Sequence, residues 1–177
     1  MSQQVLVTYA SHGGSTAEIA RAVAEVLSQR GLQPDVRPVT EVHDLSPYGA
    51  VVLGSAINAS EWLPEAMAFA REHQAELNRK PFADFIVCMT MSMKPAMIRS
   101  SAKKFLEPMH TLIANPVSEG CFAGVVRFDQ MVPENVQRSM WFRTMTKLGL
   151  FTEGDHRDWD AIRAWAHDLS GKLPPVR

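Results

Sequence analysis

The chain has 177 residues, 46% hydrophobic and 21% charged, enough for one domain with a packed core. A formal net charge of -1 excludes a global pull toward nucleic acid or anionic lipid, and no clustered basic face marks a nucleic-acid partner. The N-terminus, MSQQVLVTYASHGG, lacks the basic and long apolar regions of a signal peptide, and no run reaches the ~18 apolar residues of a spanning helix; the expected location is cytoplasmic, at most peripheral to the inner face of a membrane.

Apolar strands and amphipathic helices alternate along the chain. QVLVTY (4–9) reads as a first strand running toward Gly13-Gly14. Residues 16–30 carry Ile19, Ala20, Val23, Ala24, Val26 and Leu27 at helical spacing, and Gly31 stops that helix. QPDVRPVTEV (33–42) alternates and is more polar, and Pro34 and Pro38 place it near a sheet edge. GAVVLGSAI (49–57) is continuously apolar, as a strand covered on both faces should be. A helix over Leu63–Leu77 follows, with Pro64 in its first turn. ADFIVCMTM (83–91) is the next buried strand, a helix spans Pro95–Met109, and GCFAGVVRF (120–128) is the fifth strand. The last helix runs from Asp158, its N-cap, to Leu173, with Ile162, Trp165, Ala166 and Leu169 on one face.

This alternation predicts a single α/β domain over 1–177, a parallel sheet with helices on both sides. Residues 127–154 stand outside the alternation and are too long for a connection without a role. Cys88 and Cys121 lie in apolar runs with neither CxxC nor zinc spacing and read as small core residues. His43, His73, His110, His156 and His167 are scattered, so neither a metal site nor a side-chain nucleophile is expected and no catalytic residue is assigned.

The turn after the first strand is the candidate site. In an open parallel sheet ligands bind beyond the carboxyl ends of the strands, and the first helix N-terminus there attracts anions. The glycines of Ser11-His12-Gly13-Gly14-Ser15-Thr16 let the backbone come close to a ligand, and the hydroxyls of Ser11, Ser15 and Thr16 donate to phosphate oxygens without adding charge. His12 is a further phosphate contact by its place in the loop. The same residues also fit a plain turn, with Ser15 and Glu18 at the spacing of a capping box. GxxxxGK[ST] and GxGxxG are both absent, which argues against a nucleoside triphosphate and a dinucleotide. A neutral, hydroxyl-rich pocket fits a single terminal phosphate, and FMN is the common cofactor of that shape.

VLVTYASHGGSTAEIARAVAEVL resembles the opening of flavodoxins: a strand, a hydroxyl- and glycine-rich phosphate loop ending in Thr, then a helix. VVLGSAI looks like their third strand entering the first flavin loop, and GDHRDWDAIRAWAHDL is similar to their closing segment and C-terminal helix. The likeness is strongest to the flavodoxin-domain group that includes the menaquinone-dependent protoporphyrinogen dehydrogenases, which insert a helical segment before a final helix opened by Asp-Trp, here Asp158-Trp159. The resemblance implies a flavodoxin-like three-layer sandwich, a five-stranded parallel sheet of order 2-1-3-4-5, a helical insertion after strand five, and FMN at the tips of strands one, three and four. It implies that Ser11, His12, Gly13, Gly14, Ser15 and Thr16 hold the phosphate. Ser55, Ala56, Ile57 and Asn58 would line one flavin face, and Thr90, Met91, Ser92 and Met93 the other. The chain departs from the pattern in its flavin loops: SAINASE (55–61) and MTMSMKPAM (89–97) contain no aromatic, and Trp62 is the nearest one. Without a stack FMN is held more weakly and two-electron chemistry is favored.

The implied activity is an FMN-dependent oxidoreductase of the protoporphyrinogen dehydrogenase type, serving heme biosynthesis, with a small-molecule substrate and a quinone as electron acceptor. A flavodoxin electron carrier docking on a redox partner protein, and a cofactor-free interaction module, remain as alternatives. Residues 133–151 read as a helix from Pro133 to near Gly149, with Trp141, Met145 and Leu148 in one stripe, Phe142 beside it, and Ser139, Arg143 and Lys147 opposite. A lid on its own domain, a peripheral membrane or quinone contact, and a homodimer or partner contact all suit it. Met89, Met91, Met93 and Met97 suit either a plastic core or an apolar rim for a flat substrate.

Overall fold

The computed structural model describes residues 4–94, 96–131 and 134–174, and for Gln130, Met131, Glu134, Asn135 and Trp141 the backbone alone. Five parallel strands form its center: β1 (Gln4–Ala10), β2 (Pro34–Pro38), β3 (Tyr48–Asn58), β4 (Phe82–Val87) and β5 (Ser118–Phe122), in the expected order 2-1-3-4-5. A short sixth strand, Glu61–Trp62, was not expected; it folds back antiparallel on β3, pairing Ile57 with Trp62 and Asn58 with Glu61.

Alternation along the strands divides the core. Leu6, Val51, Leu53, Phe82 and Ile86 face one layer, where they meet Ala66, Phe69 and Ala70 of helix α2 (Pro64–Glu72) and Leu106, Met109 and Ile113. Val5, Val7, Val52 and Phe85 face the other, where they meet Ile19, Ala20, Val23 and Leu27 of α1 (Ser15–Gln29). Gly54 admits the Phe85 ring, since a Cβ there would fall 2.1 Å from the ring carbon Cζ.

Several elements are shorter than the periodicity predicts, each for a local reason. The second strand stops at Pro38, which has no N–H for the ladder, and Val39–Glu41 turns inward as a 3-10 helix with Val39 buried. The strand expected over 83–91 ends at Val87, because its neighbor β5 ends at Phe122; Cys88 makes one last bond to the Phe122 carbonyl before Met89–Ser92 coils into a 3-10 turn. The helix expected over Leu63–Leu77 is interrupted at His73. The one expected over Pro95–Met109 is broken into Ala96–Ser100, a 3-10 stretch Ser101–Leu106 and Glu107–His110. Ser100 and Ser101 donate their hydroxyls to the Met97 and Ile98 carbonyls and compete with the helical ladder there. Pro95 lies outside the described residues.

The expected insertion is built around aromatic contacts. The strand expected over 120–128 breaks after Phe122, and Val125–Val126 instead pairs antiparallel with Gly154–Asp155. Phe128 lies 4.9 Å from Phe142 and 5.0 Å from Phe151 between ring centers, and these three with Val126 form a separate apolar cluster. The long helix expected here resolves into Glu134–Gln137 and α3 (Met140–Lys147), with Ser139 capping α3 by accepting from the Phe142 N–H. Among the described side chains of α3 Phe142 is the buried one, whereas Leu148, expected in the apolar stripe, is exposed. Pro133 and the Trp141 side chain lie outside the described residues.

The chain closes with α4 (Trp159–Ser170), capped by Asp158, which accepts from the Ala161 N–H at 2.9 Å. Ile162, Ala166 and Leu169 pack beside α1, and the Trp165 indole donates to the Glu119 carbonyl of the edge strand β5. Arg157, just before α4, pairs with Glu18 of α1 and with Asp155, and lies 4.6 Å over the Trp159 ring.

Candidate functional site

The carboxyl ends of β1, β3, β4 and β5 share one edge of the sheet, and a cleft of about 310 Å³ lies over them. Ser11, His12, Gly13 and Ser15 line it from the first crossover, and Ala56, Ile57, Asn58 and Ala59 from the end of β3. Val87, Cys88 and Met89 close it from β4, and Gly124 to Arg127 form a further wall after β5.

The first crossover has the features an anion needs. Gly14 adopts a left-handed conformation (φ +86°) and precedes α1 without a side-chain cap on the helix. Ser15 is therefore not the N-cap, and the capping box is not formed; Ser11 Oγ accepts from the Gly14 N–H at 3.1 Å, and the Glu18 carboxylate is turned to Arg157. Thr16 does not line the cleft, but its hydroxyl is buried and has no hydrogen-bond partner among the described residues. An uncapped helix N-terminus beside a buried, unpaired hydroxyl fits a phosphate held by uncharged donors. His12 reaches across to α2, its Nε2 2.8 Å from Glu65 Oε1, which ties the loop to the helix after β3.

The loop after β3 is a tight hairpin. Ala59 and Ser60, between the Asn58–Glu61 pair, both have positive φ, 48° and 68°. Two left-handed central residues make the turn that suits a two-residue hairpin, although Asn-Gly is the favored sequence for it. This turn bends Ala56–Ala59 over the cleft. Ser55 stays beneath, buried, with its hydroxyl donating to the Ala56 carbonyl and accepting from the Leu63 N–H.

The loop after β4 is placed differently. Met89 lines the cleft, while Thr90, Met91, Ser92 and Met93 do not. Met91 packs on the main core, and Met93 with Met89 packs on the Phe128–Phe142–Phe151 cluster, so the insertion and this loop support each other. Trp62 also stands away from the cleft: it is buried, and its indole donates to the Phe105 carbonyl at 2.5 Å. Sequence reasoning missed the wall from Gly124 to Arg127, because GCFAGVVRF reads as one unbroken strand. Cys88 is buried at the cleft floor and burial raises its thiol pKa; burial pushes Cys121 up to about 12, so both stay protonated at neutral pH. Among the described residues no cluster of histidine, cysteine and carboxylates could hold a metal ion, and no helix is long and apolar enough to cross a membrane.

A doubly wound parallel sheet with an uncapped first crossover under a cleft at its strand tips defines an open α/β ligand-binding domain, and the chain belongs to the flavodoxin domain family, whose model matches residues 6–147. FMN is the cofactor of that family, and a redox role in electron transfer comes with it. Among individual relatives, the chain is 24% identical to protoporphyrinogen IX dehydrogenase [quinone] of Escherichia coli K12 over 182 aligned positions, covering 94% of each chain. Among solved structures it matches the Streptococcus pneumonia TIGR4 flavodoxin (TM-score 0.58, 21% identity, 96% of this chain and 99% of that one). It also matches a flavodoxin from the domain Archaea (TM-score 0.57, 16% identity, 96% and 98%).

Proposed function

We propose that this chain is an FMN-dependent oxidoreductase that takes electrons from a porphyrinogen-type substrate and passes them to a quinone. The observation that carries the reading is the added wall: Val125 to Arg127, pinned by the Val125–Val126 ribbon and the aromatic cluster behind it, turns the strand tips into a cleft beside the phosphate loop. The likeness to protoporphyrinogen IX dehydrogenase [quinone] supports it by running through nearly the whole of both chains.

In this reading Ser11, His12, Gly13, Gly14, Ser15 and Thr16 hold the cofactor phosphate through backbone N–H groups and hydroxyls. Ser55, Ala56, Ile57 and Asn58 flank one side of the ring, and the loop of Thr90, Met91, Ser92 and Met93 stands on the other, where Met89 lines the cleft and Met93 packs on the insertion. Bound FMN supplies the group that takes up and releases electrons. The chain's own part is to bind and orient, and to keep water from the floor made by Val87, Cys88 and Leu63. Residues 133–151 form the contact with a membrane surface, from which a lipid-soluble quinone is drawn. Support comes from α3 and its C-cap, where Met140, Arg143, Thr144, Lys147 and the capping Leu148 are all exposed along one side, two apolar groups among two cations.

The test is to add FMN to the protein, follow its absorption and fluorescence, and then mix the loaded protein anaerobically with a porphyrinogen and a quinone. Porphyrin fluorescence that grows only with protein, FMN and quinone together is the expected result. Tight FMN binding without porphyrinogen oxidation would return the chain to the class of electron carriers.

A further inference from the structure

Among the described residues, a single formally charged side chain lines the cleft. Of the residues lining it, Arg127 alone is Lys, Arg, Asp or Glu. The remaining walls are glycine, serine, Asn58, His12 and apolar side chains, and the ring of His12 is engaged by Glu65. Arg127 is exposed, and among the described residues its guanidinium has neither a hydrogen-bond nor an ion-pair partner.

Its backbone, by contrast, is held on both sides. Val126 before it is buried in the aromatic cluster and paired with Gly154, and the Phe128 N–H after it donates to Glu153 Oε1 at 2.7 Å. A fixed backbone presenting a free guanidinium to an otherwise uncharged cleft is an arrangement for anion recognition, because the planar fork of donors matches a carboxylate. In the functional reading above, the cofactor phosphate has its own uncharged donors at the head of α1, so the guanidinium is left for a second anion.

We propose that Arg127 is the substrate-recognition residue of this cleft: it binds a carboxylate of a flat, otherwise apolar substrate and so fixes which edge of that molecule lies over the strand tips. The inference rests on reading the cleft as an FMN redox site. The shared chemistry is an oxyanion, and the two sources, substrate carboxylate and cofactor phosphate, separate experimentally.

The experiment uses the FMN-loaded protein with protoporphyrin IX and its dimethyl ester as probes, titrated by fluorescence in detergent, alongside titrations of the unloaded protein with FMN and riboflavin. The unaltered protein is expected to bind the acid about tenfold or more tighter than the ester, as loss of a charge-assisted hydrogen bond implies. Arg127→Gln is expected to erase that ratio and leave ester affinity in place, and Arg127→Lys to restore part of it. FMN affinity is expected to stay within about twofold in both variants, the range of an uninvolved side chain. An acid-to-ester ratio that Arg127→Gln leaves unchanged overturns the proposal, as does equal or absent binding of the two probes. A tenfold fall in FMN affinity with riboflavin unaffected also overturns it, by assigning the cation to the phosphate. Failure of the unaltered protein to bind FMN at all is a separate result, and it sinks the functional reading beneath.

Discussion

A methyl group placed on Gly124 would stand 3.0 Å from Ser15 Oγ and 2.9 Å from Val87 Cγ1. The wall after β5 therefore lies against the first residue of α1, with no room for a side chain between them. Gly124→Ala is expected to push Ser15 or Val87 away and to weaken FMN binding about tenfold, the scale of a misplaced hydrogen-bonding group. The melting temperature should fall by only a few degrees, as for one overpacked site. Flavin fluorescence quenching on titration measures the first effect; unchanged FMN affinity would separate the wall from the phosphate loop.

Thr16 offers a cleaner probe of the same loop. Its hydroxyl is buried and unpaired among the described residues, which is a desolvation penalty that bound phosphate would relieve. Thr16→Val keeps the shape and removes the hydroxyl. The unloaded variant should be as stable as the unaltered protein or more so, while FMN affinity falls about tenfold and riboflavin affinity stays level. Equal losses for both flavins would mean that the hydroxyl serves packing rather than the phosphate.

Asp84 makes the stability of this protein depend on pH. It is fully buried in β4, with His110 Nε2 3.4 Å from Asp84 Oδ2 and 3.3 Å from Glu119 Oε1. Burial, and secondarily the neighboring Glu119, push the Asp84 carboxyl up to about 8 from an ordinary 3.8. Between those values the folded chain keeps a proton that the unfolded chain releases, so stability falls as pH rises through this window and levels off above it. Asp84→Asn removes the dependence. At about 1.4 kcal/mol per pKa unit, the variant should gain on the order of a few kcal/mol at pH 8 and little near pH 4. Urea denaturation at a series of pH values measures this; parallel profiles for the two proteins would contradict it.

The exposed side of α3 gives a prediction about surfaces. Met140, at the start of the helix that carries Arg143 and Lys147, is 85% exposed, and Leu148, which follows its last residue, is 65% exposed. If this side meets lipid, Met140→Ser with Leu148→Ser should cut the affinity for vesicles containing anionic lipid about a hundredfold, since burying two such side chains contributes about 3 kcal/mol. Soluble FMN binding should be untouched. Loss of flavin binding in the double variant, or vesicle binding that it leaves intact, would place the contact elsewhere.

The order of strands and helices was legible in the sequence because it rests on local periodicity. β3 and β4 announce themselves as apolar runs covered on both faces, and α1 as a row of Ile19, Val23 and Leu27. The first crossover was legible as a candidate site for a related reason: small and hydroxyl residues between a strand and a helix leave the chain close to the strand tips, and Ser11, His12, Gly13 and Ser15 do line the cleft. Asp158 was readable as a cap because capping concerns neighbors only three residues apart.

What local pattern could not decide was where distant segments meet. The turn at Ala59 and Ser60 carries no glycine and is held by the pairing of Asn58 with Glu61, so the hairpin was hidden. The capping box of Ser15 and Glu18 had the right spacing, but Arg157, far along the chain, takes the Glu18 carboxylate. The break after Phe122 is imposed by the contact of Gly124 with Ser15 and by the pairing of Val125 and Val126 with Gly154 and Asp155. By itself, then, the sequence determined the layered parallel architecture, the first crossover and the existence of an insertion, all of which follow from interactions within a turn or two of chain. The tertiary structure alone decided that the insertion walls the cleft and places Arg127 in it, because contacts between residues tens of positions apart, such as Val126 with Gly154 and Phe128 with Glu153, leave no periodic trace.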